Sequence, residues 1–148
     1  MAKTVYWDAN VFNALFGRED GRVETCEAIE RSVREGNVLI YTSTATFVEC
    51  VWIKGLERRL NPTHESVISK YFQHKFIRPV ICDRQISDSA RSLLWKFYPG
   101  LKSKDAIHVA SALFVGVDVL HTYDDFLIGM YGKIGEPSLT IVRPSAPN

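Results

Sequence analysis

The sequence predicts an α/β protein with three layers, α/β/α, and a central parallel sheet of four to five strands. Two observations predict this class. Short β-prone runs alternate with longer stretches in which apolar residues recur every three to four positions. The segments between the runs are long enough for the helical crossovers that parallel strands require, and such helices cover both faces of a sheet.

Length and composition indicate one folded domain. The chain has 148 residues, of which 46% are hydrophobic and 24% charged, far from the composition of disordered chains. We expect a single domain over residues 1–148, with a core from about residue 4 to residue 142 and a short Pro-containing C-terminal tail. Because the net charge is only +1, a polyanionic partner would have to meet a local basic patch or a metal ion.

The predicted strands are rich in β-branched and aromatic residues and are bounded by polar or turn-forming residues. In chain order they are Thr4–Trp7, Val38–Thr42, Ile77–Cys82 and Val117–Thr122, with Leu139–Val142 as the candidate fifth strand. Open α/β sheets bind ligands beyond the carboxyl ends of their strands. The residues that follow each strand are therefore the first place to look for a site.

The predicted helices are amphipathic stretches with recognisable first and last residues. Ser43-Thr44 is expected to cap the third helix, which runs through Leu56 and stops at Asn61-Pro62. Pro99-Gly100 is expected to end the fifth helix. In chain order the helices are predicted over residues 11–16, 21–36, 44–59, 64–74, 86–97 and 104–115.

Four acidic residues lie where predicted strands and helices meet. Asp8 directly follows the first strand, and Asp124 follows the fourth. Glu49 lies in the helix after the second strand, and Asp105 opens the helix that leads into the fourth strand. If these strands are parallel, the four carboxylates come from the same edge of the sheet.

Each acid also has a purely structural explanation. Asp8 and Asp124 would be N-caps, each worth about 1 kcal/mol, while Asp105 would complement a helix dipole and Glu49 would lie on a solvated helix face. A convergent set is different, because two carboxylates about 4 Å apart repel by roughly 4 kcal/mol at an effective dielectric constant of about 20. Such a set needs a cation, and ligation by oxygen alone favours Mg²⁺ or Mn²⁺ over zinc.

Two further polar residues adjoin these acids. Asn10 would hold Asp8 or a bound water in place, or would act as a capping residue. Asp125 lies beside Asp124, so one of the two would serve the site while the other caps the helix that begins at Phe126. Asp124 is the preferred site residue.

The motifs around the four acids resemble those of one known family. "YWDANVFNALF", "STATFVECVW", "KSKDAIHVASAL" and "LHTYDDF", in that order, are similar to the PIN-domain ribonucleases, in particular the short single-domain toxins of the VapC type. The likeness spans about Val5 to Val142. The last motif departs from the common T-x-D-x-x-F pattern, because Phe126 comes one position early.

The resemblance implies a Mg²⁺- or Mn²⁺-dependent endoribonuclease that is the toxin of a toxin–antitoxin pair. Asp8, Asp105 and Asp124 would hold the metal, which would activate water and neutralise charge on the phosphoryl oxygens. Glu49 would bind a second ion or act as the base. Asn10 and Thr122 would support this pocket. The implied partners are an RNA substrate, a cognate antitoxin and a second copy of the chain, with the apolar stretch Val67–Phe72 as one contact surface.

Basic side chains would bind the RNA backbone, since the acids would be occupied by metal. The candidates for phosphate contacts are Lys102 and Lys104, next to Asp105, and Arg18 and Arg22, after the first helix. Solvated surface charge is the alternative for each. Three further residues are placed in the interior in preference to the site: Trp7, Trp52 and His108.

Cysteine usage and hydropathy narrow the setting. Cys26, Cys50 and Cys82 form no CxxC pair and are expected to be reduced and mostly buried. No apolar run approaches the roughly 20 residues of a membrane span, and no secretion signal opens the sequence, so we expect a cytoplasmic protein without membrane contact.

Alternative functions remain open at this point. Aspartate-nucleophile phosphatases of the haloacid dehalogenase type also begin with an Asp after the first strand, but they need a second Asp where this chain has Asn10. A two-component receiver domain needs a phosphoacceptor after the third strand, which Cys82-Asp83 matches poorly. A non-catalytic RNA-binding or scaffold version of the same fold would be free to lose acids, whereas this chain keeps four.

Overall fold

The computed structural model describes residues 1–51, 53 and 61–147. The strands among them are β1 (Lys3–Trp7), β2 (Val38–Ser43), β3 (Ile77–Val80), β4 (Val119–His121) and β5 (Ile141–Val142). The helices are α1 (Ala9–Phe16), α2 (Val23–Arg34), α3 (Thr44–Glu49), α4 (Pro62–Phe72), α5 (Arg84–Lys96), α6 (Ser103–Val115) and α7 (Asp125–Gly129). Each predicted strand and helix is present, with shifted ends.

The five strands form one sheet in the order β3-β2-β1-β4-β5, and every neighbouring pair is parallel. The predicted three-layer α/β/α class is confirmed. The chain builds the sheet outward from β1 through β2 to β3, then returns to add β4 on the other side of β1. The crevice beyond the carboxyl ends of β1 and β4 is therefore the topological switch point, where α/β sheets bind ligands.

Alternation along β1 divides the core between the two faces of the sheet. Tyr6 lies in the cluster that α5 and α6 cover, whereas Val5 and Trp7 lie in the cluster that α1, α2 and α4 cover. The second cluster is strongly aromatic: Phe12 packs edge-on against Trp7 and Phe72, with ring centroids 5.2 and 5.1 Å away. Packing on both faces of β1 fixes the strand that carries Asp8 at its end.

Several predicted boundaries are wrong by a few residues or more. α3 ends at Glu49, because Cys50 leaves helical geometry with ψ 82°; the predicted continuation through Leu56 lies outside the described residues. Asn61-Pro62, predicted to stop the third helix, begins α4. The Asn61 side chain accepts from the Thr63 N–H, and proline suits the first helical position because it has no N–H to satisfy.

The cysteine prediction is confirmed. All three cysteines are free thiols; Cys26 and Cys50 are buried and Cys82 is half-buried. Among the helices of the described residues, none combines the length and apolar character needed to cross a membrane.

Candidate active site

Asp8 and Thr122 meet at the switch point. Asp8 comes directly after β1, and Thr122 comes directly after β4, the neighbouring strand. The Thr122 hydroxyl donates to Asp8 Oδ2 at 2.5 Å and accepts from the Asp124 N–H at 3.0 Å. One threonine therefore joins the acid after β1 to the acid after β4.

The Asp8 carboxylate is both a helix cap and a buried charge. Its Oδ1 accepts from the Val11 N–H at 3.2 Å, while the side chain is only 2% exposed. Burial raises the pKa of Asp8 from 3.8 to about 6, and the negative charge of Asp105 acts in the same direction. A cap alone needs no such burial, so this position has an electrostatic cost that a bound cation would offset.

Asp105 is the acid to which the other three are electrostatically coupled. It lies buried in the first turn of α6. Burial raises the pKa of Asp105, the charge of Asp124 raises it further, and Glu49 adds to the effect, while Lys104 opposes it. The structure thus brings Asp8, Glu49, Asp105 and Asp124 to one edge of the sheet, as the junction pattern predicts.

The side chains of Asp124 and Asp125 have different partners and point in different directions. Asp124 is the N-cap of α7, where its Oδ1 accepts from the N–H groups of Phe126 and Leu127 at 2.8 and 3.2 Å. Asp125 points outward with its side chain 86% exposed and pairs with Arg143 at 3.1 Å. Asp124, the preferred site residue, is therefore also the cap, and its charge raises the pKa of Asp105; its site role stays a prediction.

Glu49 is held by an imidazole. It is the last residue of α3, and its Oε1 lies 2.9 Å from His108 Nε2. His108 follows Asp105 by one turn of α6 and is 1% exposed, so it is an interior histidine as expected, yet it also reaches the acidic pocket. On its other side, His108 Nδ1 lies 2.7 Å from the hydroxyl of Tyr6.

A sequence model of the PIN domain matches residues 5–131. The chain belongs to the PIN-domain family. The match covers β1 to the end of α7 and includes all four acids. A search among proteins with curated descriptions gives no significant match.

Several solved toxin structures share this PIN fold. The VapC20 toxin of Mycobacterium tuberculosis, described as cleaving the sarcin–ricin loop, aligns with a TM-score of 0.65 at 17% identity, over 82% of this chain and 90% of that one. A toxin–antitoxin complex from Klebsiella pneumoniae aligns with a TM-score of 0.63 at 17% identity, over 97% and 99%. VapBC2 of Rickettsia felis, bound to promoter DNA, gives 0.66 at 10% identity, over 93% and 96%. At these identities the likeness establishes the fold.

The residues of this PIN-domain pocket fit a hard divalent cation by their chemistry. All four acids offer oxygen ligands, and burial together with their mutual repulsion raises the pKa of Asp8 and of Asp105, which the charges of His108 and Lys104 only partly oppose. Within the part of the chain that the structure describes, no three Asp, Glu, His or Cys side chains converge at ligand distance. The four acids lie in one region of the described chain, but their carboxylates are not close enough together to coordinate one ion.

Asn10 lies in the first turn of α1 and is exposed. The N-cap of that helix is Asp8, so the alternative that Asn10 is the capping residue is wrong. Asn10 stands two residues after Asp8 at the mouth of the pocket, where its supporting role stays a prediction.

The predicted phosphate-contacting lysines lie on the surface beside the pocket. Lys102 is the N-cap residue of α6, Lys104 lies in its first turn, and both are exposed. Lys104 is close enough for its charge to lower the pKa of Asp105 against the effect of burial. Their contact with RNA phosphate stays a prediction.

The two arginines have protein partners. Arg18 is exposed and pairs with Glu27 at 3.2 Å. Arg22 pairs with Glu19 at 3.0 Å, and its guanidinium lies over the ring of Tyr123, 4.1 Å from the centroid. Because Tyr123 directly precedes Asp124, Arg22 is fixed at the rim of the pocket, whereas Arg18 is held only by a surface ion pair.

The tryptophans divide between the core and the undescribed part of the chain. Trp7 is fully buried and its indole N–H donates to His121 Nδ1 at 3.2 Å, so it is a core residue, as preferred. Trp52 lies outside the described residues.

Sequence reasoning missed Tyr6. A tyrosine in a short apolar strand passes as a core residue, and here it is fully buried. The signal available was chemical, because a buried phenol must find hydrogen-bond partners. Its position between Val5 and Trp7 on the opposite face of β1 points the hydroxyl toward α6, where His108 lies.

Proposed function

We propose that this protein is a metal-dependent endoribonuclease that hydrolyses RNA phosphodiester bonds, and that it is the toxin of a toxin–antitoxin pair. The observation that carries the proposal is the gathering of Asp8, Glu49, Asp105 and Asp124 at the switch point of a PIN fold. The raised pKa values of buried Asp8 and Asp105 favour metal binding as the role of this group, because a bound cation would stabilise their ionised forms.

Asp8, Asp105 and Asp124 would hold Mg²⁺ or Mn²⁺. When bound, the ion lowers the pKa of water and offsets the charge that grows on the phosphoryl oxygens. Thr122 keeps Asp8 in place through the hydroxyl that also receives the Asp124 N–H. This arrangement supports the predicted supporting role of Thr122.

Glu49 would ligand a second ion or take a proton from the attacking water. Its Oε1 is engaged by His108, so Oε2 is the oxygen that remains for the substrate side. The side chain is 21% exposed, which leaves it accessible from solvent at the edge of a buried cluster. A carboxylate held in this way suits general base work, because geometry decides whether a base reaches its proton.

The RNA backbone would be bound by the cations around the acids. Lys102 and Lys104 flank Asp105, and Arg22 lies against Tyr123 at the opposite rim, beside Asp124. With a net charge of only +1, this local ring would supply the attraction to phosphate. Arg18 would contribute to a lesser degree.

The toxin part of the proposal rests on the PIN fold shared with toxins and toxin–antitoxin complexes. The partners would be a cognate antitoxin that covers the acidic pocket and a second copy of the chain. The predicted contact stretch Val67–Phe72 exposes Val67, whereas Ile68 is buried and Phe72 packs on Phe47 at a centroid distance of 4.7 Å. Only the outer side of α4 would therefore be available to a partner.

A cleavage assay tests the proposal. Purified protein is incubated with structured and single-stranded RNA, with Mn²⁺ or with EDTA, and the cleaved ends are mapped. We expect Mn²⁺-dependent internal cleavage that leaves 5′-phosphate and 3′-hydroxyl ends. Asp8→Asn and Asp105→Asn should each remove it, while Asp125→Asn, which changes the exposed neighbour, should retain it.

Two outcomes would contradict the proposal. RNA binding without cleavage would favour the non-catalytic scaffold, and release of phosphate from a phosphomonoester without RNA cleavage would favour the phosphatase. Cleavage that persists unchanged in EDTA would contradict the metal requirement.

A further inference from the structure

A continuous chain of buried hydrogen bonds connects the backbone at the end of β2 to the Glu49 carboxylate. The Ser43 N–H donates to the Tyr6 hydroxyl at 3.0 Å. The hydroxyl lies 2.7 Å from His108 Nδ1, and His108 Nε2 lies 2.9 Å from Glu49 Oε1. Ser43 and the two intervening residues, Tyr6 and His108, are each buried.

The direction of each hydrogen bond follows from what the groups can donate. A backbone N–H only donates, so the Tyr6 oxygen accepts from Ser43. An ionised carboxylate only accepts, so the hydrogen bond to Glu49 requires a proton on His108 Nε2. In a ring with that single proton, Nδ1 accepts from the hydroxyl of the fully buried Tyr6.

We propose that His108 is a positioning residue that holds the Glu49 carboxylate toward the other acids, and that Tyr6 fixes the ring tautomer needed for this. The inference deepens the proposed function and rests on it. Glu49 needs such a support, since α3 has only six residues and ends at Glu49 itself. A glutamate there has several rotatable bonds and no helical turn after it.

The placement of His108 differs from that of a histidine that merely fills the core. Its Nε2 faces a partly exposed carboxylate at the pocket, not a buried backbone carbonyl. The three-residue spacing from Asp105 puts both side chains on one face of α6. Helix α6 therefore carries both Asp105 and His108, and His108 orients Glu49 at the end of α3.

The tautomer is tested directly by NMR of the imidazole nitrogens in the metal-free protein, with long-range proton–nitrogen correlations. We expect His108 to carry its proton on Nε2 in the wild type. In Tyr6→Phe, which keeps the ring and removes the hydroxyl, we expect a mixture of tautomers. A wild-type His108 protonated on Nδ1 alone would overturn the inference.

The positioning role is tested by a double-mutant cycle with a conservative control. His108→Leu fills the space without a donor, and His108→Gln keeps an N–H near the position of Nε2. We expect His108→Leu to lower kcat for RNA by roughly 10–100-fold, the usual range for partners of site ligands, with KM within about twofold. His108→Gln should restore most of the loss, and His108→Leu combined with Glu49→Gln should be no worse than Glu49→Gln alone.

The same cycle measured by Mn²⁺ calorimetry, or by unfolding of the metal-free protein, needs no activity. If wild-type protein cleaves no RNA, the proposed function is wrong. The positioning role of His108 is still tested by its tautomer and by the coupling energy between His108 and Glu49. If the effects of the two substitutions are additive, or if His108→Gln is as impaired as His108→Leu, the positioning role is wrong. Neither result contradicts the proposed ribonuclease function. If His108→Leu does not fold, the comparison of Tyr6→Phe and His108→Gln with the wild type carries the test.

Discussion

Asp8 performs two tasks that sequence reasoning treats as alternatives. One oxygen caps α1 and the other accepts from Thr122, so a junction aspartate is at once a structural cap and a buried carboxylate beside Asp105. Asp124 likewise caps α7 through its Oδ1. In a PIN fold the cap fixes the carboxylate in direction and depth, which is why the two explanations are not in competition.

Burial of Asp8 makes the stability of the metal-free protein depend on pH. The folded protein holds a proton at Asp8 up to about pH 6, whereas the unfolded chain loses it near 3.8. The stabilisation from this proton is complete below pH 4 and is lost as pH rises through 6, an effect of about 3 kcal/mol. Denaturant unfolding in EDTA should show a wild-type loss of stability between pH 4 and 6 that is smaller in Asp8→Asn, where Asp105 still contributes. Parallel pH profiles for the two proteins would show that Asp8 titrates normally.

Thr122 should prove to be the strongest support of Asp8. Thr122→Val keeps the shape but removes the donor, so we expect a loss of about 1–3 kcal/mol in the free energy of unfolding and a further rise in the pKa of Asp8. Thr122→Ser, which retains the hydroxyl, is the matched control. Carboxyl-carbon NMR of Asp8 and chemical denaturation measure the two effects. Equal behaviour of the valine and serine variants would show that the hydroxyl is dispensable.

At the scale of elements, helical periodicity with clear end signals was enough to place α5 and α6. The boundaries that depended on tertiary contacts were not predictable in this way. The three residues of β4 all pair with β1, and only the last two pair with β5. Asn61-Pro62 can end one helix or begin another with the same chemistry. The sequence marked Asp124 as a site acid. It did not show that Asp124 also caps α7, because in "TYDDF" the helix could begin one residue earlier or later.

The loop between α5 and α6 depends on one glycine. A Cβ at Gly100 would lie 2.6 Å from the ring of Phe126, the second residue of α7. The contacted atoms are the far end of the Phe126 ring, which is 45% exposed and can shift. Gly100→Ala should therefore destabilise the protein slightly, by no more than about 1 kcal/mol, and Phe126→Leu in the same chain should recover part of this. Gly129→Ala is the control, because its Cβ meets nothing within 4 Å and should stabilise the protein by up to about 1 kcal/mol. Thermal unfolding measures all three, and an unchanged Gly100→Ala midpoint would contradict the contact.

For the whole molecule, the sheet order is what brings distant residues together. Asp8 and Asp124 are far apart in sequence, yet β1 and β4 are neighbours, so Thr122 links the Asp8 carboxylate to the Asp124 backbone. A pattern of alternating strands and helices predicts a parallel sheet, but it does not state which strands pair. The other two acids come from helix ends, but the common sheet edge of Asp8 and Asp124 was predictable from their place after parallel strands. The role of Tyr6 and His108 was not, because it depends on which helix packs on which face of β1.

The proposed toxin activity predicts an effect on growing cells. Expression of the wild type in a bacterial host should arrest growth, because RNA cleavage consumes a shared cellular resource, and expression of Asp8→Asn to the same level should not. Colony counts and mapped RNA ends are the measurements, with Asp125→Asn as the active control. Arrest by both the wild type and Asp8→Asn would assign the toxicity to something other than this pocket.

The binding of Mn²⁺ to the purified metal-free protein, followed by isothermal titration calorimetry, tests the acidic site most directly. Saturable binding is expected in the wild type and in Asp125→Asn, weakening below about pH 6 as Asp8 takes up its proton. Asp8→Asn and Asp105→Asn should each abolish it. The same isotherm in all four proteins would show that these carboxylates do not form a metal site.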